Sequence, residues 1–202
     1  MKKLLINLCV LPCLVISTAW AEMAEVVIVK GKSVTYAGKS ISSGQKIETG
    51  ALLKTGARSF VKILIKESKS FISVGPKSQV EIKEIEKSSQ SKSKITLLAG
   101  ALRFKGIEGE SGKEKPTLYT RNASMGIRGT DFLLKANPVL GESEIVLFTG
   151  LVQMTNLEDE SNSEKIAPGQ WGGIGGRFGP KVQKPIQLPS KALNGFNKLL
   201  DW

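Results

Sequence analysis

The sequence contains no histidine, and this absence removes much of the chemistry that protein sites commonly use. A Ser-His-Asp or Cys-His nucleophile, a histidine general base and a histidine-ligated metal are all excluded. Aspartate is also scarce, and no pair of carboxylates has a spacing that selects it for glycosidase chemistry. We therefore expect no catalytic residues, no cofactor-binding residues and no metal ligands. The protein is not expected to be an enzyme.

Long hydrophobic runs are missing as well, because no stretch reaches the roughly 18 to 20 apolar residues of a transmembrane helix. The best candidate, Leu4 to Ile16, follows Lys2 and Lys3 and precedes Ala19-Trp20-Ala21. This combination is typical of a secretory signal peptide over residues 1–21, with a retained anchor as the alternative. We predict cleavage after Ala21 and a periplasmic or secreted protein without a transmembrane anchor.

Cysteine is nearly absent, and both cysteines, Cys9 and Cys13, lie within the predicted signal peptide. The mature chain is therefore expected to contain no thiol and no disulfide. It is still long enough to bury a core without disulfides, even in an oxidising compartment.

Acidic residues are too few to balance the basic ones, since 18 Asp and Glu accompany 29 Lys and Arg and the net charge is +11. Export makes nucleic acid an unexpected partner. Anionic envelope polymers, lipid headgroups and acidic proteins remain as partners that a field of lysines attracts. The lysines expected to be exposed are Lys62, Lys77, Lys83, Lys94 and Lys105. Solubility alone is the simpler explanation of the same charge.

Apolar and polar residues alternate with the period of two that strands require. Glycines separate the segments and permit tight reversals with positive φ. The predicted strands are Glu25–Val29, Ser59–Ile65, Ser70–Val74, Gln79–Ile85, Lys94–Leu98, Leu102–Lys105, Thr117–Tyr119, Asp131–Lys135, Glu144–Phe148 and Leu151–Thr155. This pattern predicts an all-β fold. Polar stretches at 87–94, 108–115 and 156–165 are predicted to be surface loops.

A strand, a glycine corner and a second strand recur at intervals of fifty residues, at Gly50, Gly100 and Gly150. Stacked β-coils that bury one continuous core would give such a period. We therefore predict a β-solenoid-like core. A β protein with 21 glycines also aligns a few of them by chance.

The C-terminal region differs from the rest in composition. Residues 175–189 are rich in glycine and proline, which is typical of a linker. Ser190 can then begin a short amphipathic helix over residues 190–202. The residues on its apolar face are Leu193, Phe196, Leu199, Leu200 and Trp202. Because so short a helix is marginal alone, this face is expected to pack on the protein's own core or on a partner.

Glycine-centred motifs follow one another along residues 26–174. They are Ser43 to Ile47 with Thr49-Gly50, Thr55 to Ile63, Phe71 to Ile82, Leu97 to Phe104, Ser124 to Phe132, Glu144 to Val152, and Ala167-Pro168-Gly169-Gln170. Each motif is short, but their order resembles that of the FecR-type periplasmic domain. The strongest match is Ser124 to Phe132, which is similar to the family's "A-x-x-x-V-R-G-T-x-F" passage.

The resemblance implies an all-β domain over residues 22–174, with a β-solenoid-like core, outside the cytoplasmic membrane. In the best-known members this domain is a non-catalytic interaction and signal-relay module between an outer-membrane receptor and a cytoplasmic sigma factor. This sequence is expected to lack both a cytoplasmic anti-sigma segment and a transmembrane helix, so the relay role does not carry over. An exported, signal-related interaction module remains, whose partner is another envelope protein. A basic protein that binds a glycan or lipopolysaccharide is the alternative.

Arg128, Gly129, Thr130 and Asp131 form the candidate interaction or structural motif. In the structural interpretation, the Arg128 guanidinium is tied to backbone carbonyls or to a carboxylate such as Asp131. In the functional interpretation, Arg128 binds an anion. Gly129 is expected to tolerate alanine less well than Gly173, because Gly173 lies in a segment predicted to be a flexible hinge.

Overall fold

The computed structural model describes residues 24–48, 50, 52–66, 68–85, 92–106 and 117–201. The predicted signal peptide, both cysteines, the predicted loop at 108–115 and Trp202 lie outside the described residues. Residues 92–94 and 163–165, predicted to belong to loops, instead lie in strands. In the described part of the chain, no helix has the length and apolar character needed to cross a membrane.

The described chain consists mainly of strands, and it contains one short α-helix. The strands are β1 Ala24–Lys30, β2 Val34–Tyr36, β3 Lys39–Ser40, β4 Lys46–Ile47, β5 Leu52–Thr55, β6 Phe60–Ile65, β7 Ser70–Val74, β8 Gln79–Ile85, β9 Lys92–Lys105, β10 Thr117–Tyr119, β11 Ala123–Asn137, β12 Glu142–Asn156, β13 Ser163–Ile166, β14 Gln170–Ile174 and β15 Ile186–Gln187. A 3-10 turn covers Gly176–Phe178, and the helix α1 covers Ser190–Asn197. The all-β prediction is confirmed.

The strands form one connected, mixed sheet. Its main path runs β15-β14-β12-β11-β10-β9-β7-β6-β1-β4, while β8, β5, β2 and β3 continue from β9 and β13 lies beside β12. β9 and β10 are parallel, whereas neighbours such as β11 and β12 or β6 and β7 are antiparallel. Coils of a β-solenoid stack parallel strands on one another. The β-solenoid-like prediction is therefore not confirmed.

Three long strands hold this sheet together, each with a glycine of positive φ in its middle. They are β9, β11 and β12, with Gly100 at φ 90°, Gly129 at φ 59° and Gly150 at φ 85°. Strand partners change at these bends: β9 pairs with β8 before Gly100, and with β7 and β11 after it. Of the three glycines spaced fifty residues apart, two, Gly100 and Gly150, thus mark bends within long strands.

The hydrophobic core is formed by every second residue along the strands, because successive side chains point to opposite faces of the sheet. In β6, Val61, Ile63 and Ile65 are fully buried, and the residues between them are half-buried. Phe104 and Phe132, on neighbouring strands, are also fully buried, with ring centroids 5.4 Å apart. Each such side chain contributes about 1.5 to 3 kcal/mol when buried. One hydrophobic cluster joins both halves of the bent sheet.

The outer face of one half of the sheet is covered by the C-terminal segment. Ser73, Arg103 and Leu133 lie in register on β7, β9 and β11 and are all buried. They alternate with core residues, so they project away from the core. Leu200 packs beside Gly75, and β15 pairs with β14. The helix α1 and the residues after it thus pack on the protein's own sheet.

Gly173 is not part of a flexible hinge, so that assignment is wrong. It is buried in β14, where an alanine side chain would overlap the Ser143 carbonyl oxygen and the Phe178 ring. Gly129, by contrast, has open space around the position of a Cβ atom, although its φ is positive. Composition alone could not distinguish a glycine selected for close approach from one selected for flexibility.

Gly150→Ala should destabilise the protein much more than Gly44→Ala, although both glycines have similar φ angles of 85° and 81°. A Cβ atom at position 150 would overlap the Gly129 carbonyl oxygen, whereas position 44 is open. We expect the free energy of unfolding in urea to fall by about 1–2 kcal/mol for Gly44→Ala and by more than about 3 kcal/mol for Gly150→Ala. Equal losses would contradict a tight contact between the two bends.

Candidate functional site

The Arg128–Asp131 motif forms the bend of β11, directly beside the bend of β12. Arg128 pairs with Leu151 and Asp131 pairs with Thr149, so the register shifts across Gly129 and Thr130. Such a bulge bends a strand and redirects its side chains. The Gly106 amide donates a hydrogen bond to the Thr130 carbonyl, which fixes the bend against the end of β9.

The four motif residues lie in different environments. Arg128 and Gly129 are exposed, whereas Thr130 is buried and Asp131 is half-buried. No ion pair or hydrogen bond of the Arg128 side chain is found among the described residues. The Thr130 hydroxyl also has no hydrogen-bond partner within the described part of the chain. The bend therefore presents one arginine to solvent.

Asp131 pairs with Arg103 rather than with Arg128. The Arg103 Nε and Nη2 atoms donate to the two Asp131 carboxylate oxygens, each at 2.8 Å. Arg103 is only 3% exposed, and its guanidinium carbon lies 4.6 Å from the centroid of the Phe148 ring. A two-point pair of this kind gives strong, directional hydrogen bonds.

Arg103 also holds the C-terminal segment. Its Nη1 atom donates to the Asn197 carbonyl at 2.6 Å, and Nη2 donates to the Asn197 side-chain oxygen at 2.8 Å. The last carbonyls of a helix have no partner within the helix, and a cation there is favourable. Arg103 thus joins the β11 bend to the end of α1.

Sequence reasoning missed Arg103, although it lies within the motif Leu97 to Phe104. The signal was present, because Arg103 stands between Leu102 and Phe104 on an alternating strand. Those two residues face the core, which directs the arginine to the opposite face. The alternation did not indicate that this face is covered.

A groove of about 610 Å³ lies beside the bend. Gly129, Thr130, Asp131 and Thr149 line it together with Lys62 and Lys105. The Lys62 ammonium is 5.0 Å from the centroid of the Phe71 ring, and the Lys105 ammonium is 3.5 Å from an Asp201 oxygen. The Asp131 carboxylate in this groove is already held by Arg103. The Arg128 guanidinium, next in sequence to Gly129 of this groove, supplies N–H donors that suit carboxylate and carbonyl oxygens.

A second polar cluster contains two buried carboxylates, Glu142 and Glu144. The Arg177 Nη2 atom donates to Glu142 Oε1 at 2.8 Å and to Glu144 Oε2 at 3.1 Å. Trp171 Nε1 donates to Glu144 at 3.0 Å, and the Lys135 ammonium lies 3.0 Å from the same carboxylate. The side-chain hydrogen bond with Arg177 lowers the pKa of Glu142, and the same bond raises the pKa of Arg177.

This cluster is poorly suited to acid–base catalysis or to metal binding. Each carboxylate already accepts hydrogen bonds from a cation or an N–H group, and the lowered pKa of Glu142 is opposite to the rise that a general base near neutrality requires. Within the described residues, no three metal-ligating side chains come together. The cluster instead holds the 3-10 turn against β12.

The family model described as "FecR protein" matches residues 51–153, a range that includes the bend. Two crystal structures, each of a protein from Parabacteroides distasonis ATCC 8503 provisionally assigned as an anti-sigma factor, resemble the fold. Their TM-scores are 0.57 and 0.56, with 9% and 11% sequence identity and 73% of this chain covered in each case. The chain spans just under two thirds of those proteins, 65% and 64%. No curated protein matches the sequence.

Arg103→Met should destabilise the protein by about 3–5 kcal/mol, because it leaves the Asp131 carboxylate without its buried partner. Lys105→Met is the matched control, since Lys105 lies on the same strand and its side chain is 53% exposed. We expect the control to cost about 1 kcal/mol or less. Urea unfolding measures both. A loss for Arg103→Met no larger than that of the control would contradict the central role of the Arg103–Asp131 pair.

Acid should destabilise the protein partly through Glu142. A carboxylate whose pKa is lowered on folding contributes stability above its unfolded pKa of about 4.3, and this contribution is lost as the pH falls through the folded value. Glu142→Gln should therefore reduce the difference in unfolding free energy between about pH 7 and about pH 3. Glu160→Gln, at an exposed position, should leave that difference unchanged. Identical acid dependence in both variants would be the contrary result.

Proposed function

The chain belongs to the FecR protein family, and we propose that it is an exported, non-catalytic interaction module with a signal-related role in the bacterial cell envelope. The observation that carries this proposal is the family match over residues 51–153, which includes a bend with a solvent-facing arginine. The partner is another envelope protein. The likeness to the crystal structures supports the fold on which this surface is built.

Export is proposed from the N-terminal sequence. Lys2 and Lys3, the apolar run and Ala19-Trp20-Ala21 support a signal peptide that is cleaved after Ala21. Residues 22–174 would then form the interaction domain. Residues 175–189 lead from it to the C-terminal segment, residues 190–202.

The proposed interaction surface is the bend with its adjacent groove. Arg128 is exposed and has no partner among the described residues. Its guanidinium offers five N–H donors in a planar arrangement that suits carboxylates and carbonyls. Gly129 leaves open space beside it, which lets a partner approach the backbone. Arginine is also among the residues that dominate the binding energy of protein interfaces.

Several of the lysines expected to form a positive field have neighbours that reduce their availability. Lys83 lies 2.9 Å from a Glu81 oxygen, and Lys105 pairs with Asp201. The Lys94 ammonium lies 4.2 Å from the centroid of the Tyr119 ring. This arrangement supports a specific protein partner better than the alternative, a binder of glycan or lipopolysaccharide, which would use dispersed and uncompensated charge.

The experiment places a photoreactive amino acid at Thr149, an exposed residue of the groove, in the full chain produced in its host. We expect one discrete cross-linked envelope protein. Arg128→Glu should abolish this product, because it reverses the charge at the interface. Arg121→Glu is the control, since Arg121 is also exposed but precedes β11. Equal products from both variants would argue against the bend as the interaction surface.

A binding assay with purified lipopolysaccharide or cell wall tests the polymer alternative. Binding that disappears near 0.5 M salt would favour this alternative, because salt screens exposed charges beyond about 10 Å already at 0.1 M.

A further inference from the structure

A second groove, of about 480 Å³, lies between the C-terminal segment and the outer face of the sheet. Phe60, Ala101 and Leu133 contribute its wall from the sheet, and Leu199 and Leu200 contribute the opposite wall. Its lining is therefore largely apolar. A concave apolar site of this size is typical of a pocket for one small molecule.

Small residues keep the groove open. Gly75 has no side chain, and Ala101 has only a methyl group. These two residues are neighbours, because the Gly75 amide donates a hydrogen bond to the Ala101 carbonyl. Leu200 fills the end beside Gly75. Leu199 remains 44% exposed, so the C-terminal segment leaves apolar surface in contact with water. Covering that surface is worth about 25 cal/mol per Å².

The charged residues that line the groove are all lysines. Lys30, Lys135 and Lys198 line it, and its lining contains no carboxylate. The groove at the bend contains Asp131, and a third groove contains Glu142 and Glu144. Lys135 is balanced by Glu144, whereas Lys198 has no ion pair among the described residues. An apolar floor beside an unbalanced ammonium suits a ligand with an apolar body and an anionic head.

We propose that this groove binds one free long-chain carboxylate, with its hydrocarbon chain against Phe60, Ala101 and Leu199 and its head group near Lys198. A peptide would bring backbone N–H and C=O groups that need partners, and the apolar side chains of these walls supply none. Because the C-terminal segment forms one wall, the ligand also holds this segment on the sheet. This inference is independent of the protein partner proposed above.

The chain part of the proposal is tested by calorimetric titration of the full exported chain with monomeric dodecanoate. We expect one binding site. Ala101→Phe should weaken binding at least tenfold by filling the groove floor, and a circular dichroism spectrum checks that the variant is folded. Leu199→Ser gives an independent test at a partly exposed position and should also weaken binding. Absence of dodecanoate binding, or unchanged affinity in both variants, would overturn the proposal.

The head-group part is tested by charge reversal. Lys198→Glu should weaken dodecanoate binding about tenfold, which corresponds to about 1.4 kcal/mol. Lys191→Glu is the control, because Lys191 is an exposed lysine of α1 outside the groove lining, and it should leave affinity unchanged. Dodecanol, which has no charge, should bind more weakly than dodecanoate. Equal effects of the two substitutions would overturn the proposal. So would binding to phosphatidylglycerol vesicles or to an amphipathic peptide without binding to dodecanoate.

Discussion

The buried ion pair between Arg103 and Asp131 is the interaction on which the rest of the arrangement depends. Burying a guanidinium is costly unless its donors and its charge are matched. Asp131 matches the charge with two hydrogen bonds, and Asn197 accepts two more. Satisfying this one side chain therefore requires the bend of β11, the strand β9 and the end of α1 to be in place together.

The bends explain how a single mixed sheet both encloses a core and exposes the segment around Arg128. A strand of 14 or 15 residues is too long to remain straight along one small core. It therefore bends at a glycine, where a positive φ costs little free energy. At Gly129 and Gly150 two neighbouring strands turn at the same level, and their backbones come too close for a Cβ atom at position 150. The turn breaks the register, and Arg128 and Asp131 are consequently directed to different surroundings.

The sequence predicts strands such as β6 and β8, because alternation reports directly which of their residues face a core, but it does not predict the short strands β2 to β5 and β13 to β15. It also found the glycines, but it could not tell the role of each one. The sequence predicts corners between coils at Gly100 and Gly150, whereas these glycines bend continuous strands. The sequence predicts a hinge at Gly173, whereas its missing side chain makes room for Phe178. Arg103 was overlooked because local alternation contains no information about what covers the outer face.

The C-terminal segment is attached by its polar contacts more than by its helix. No side chain of α1 itself is buried, and among the described residues of the segment the one buried apolar side chain is Leu200, beyond the helix end. A helix this short has little stability of its own, so its position is set by Arg103, which binds the carbonyl of Asn197. The Asp131 carboxylate that orients Arg103 belongs to the bend. The bend of β11 and the docking of the C-terminal segment thus both depend on the Arg103 guanidinium. A change that displaces Asp131 therefore also weakens the wall of the apolar groove.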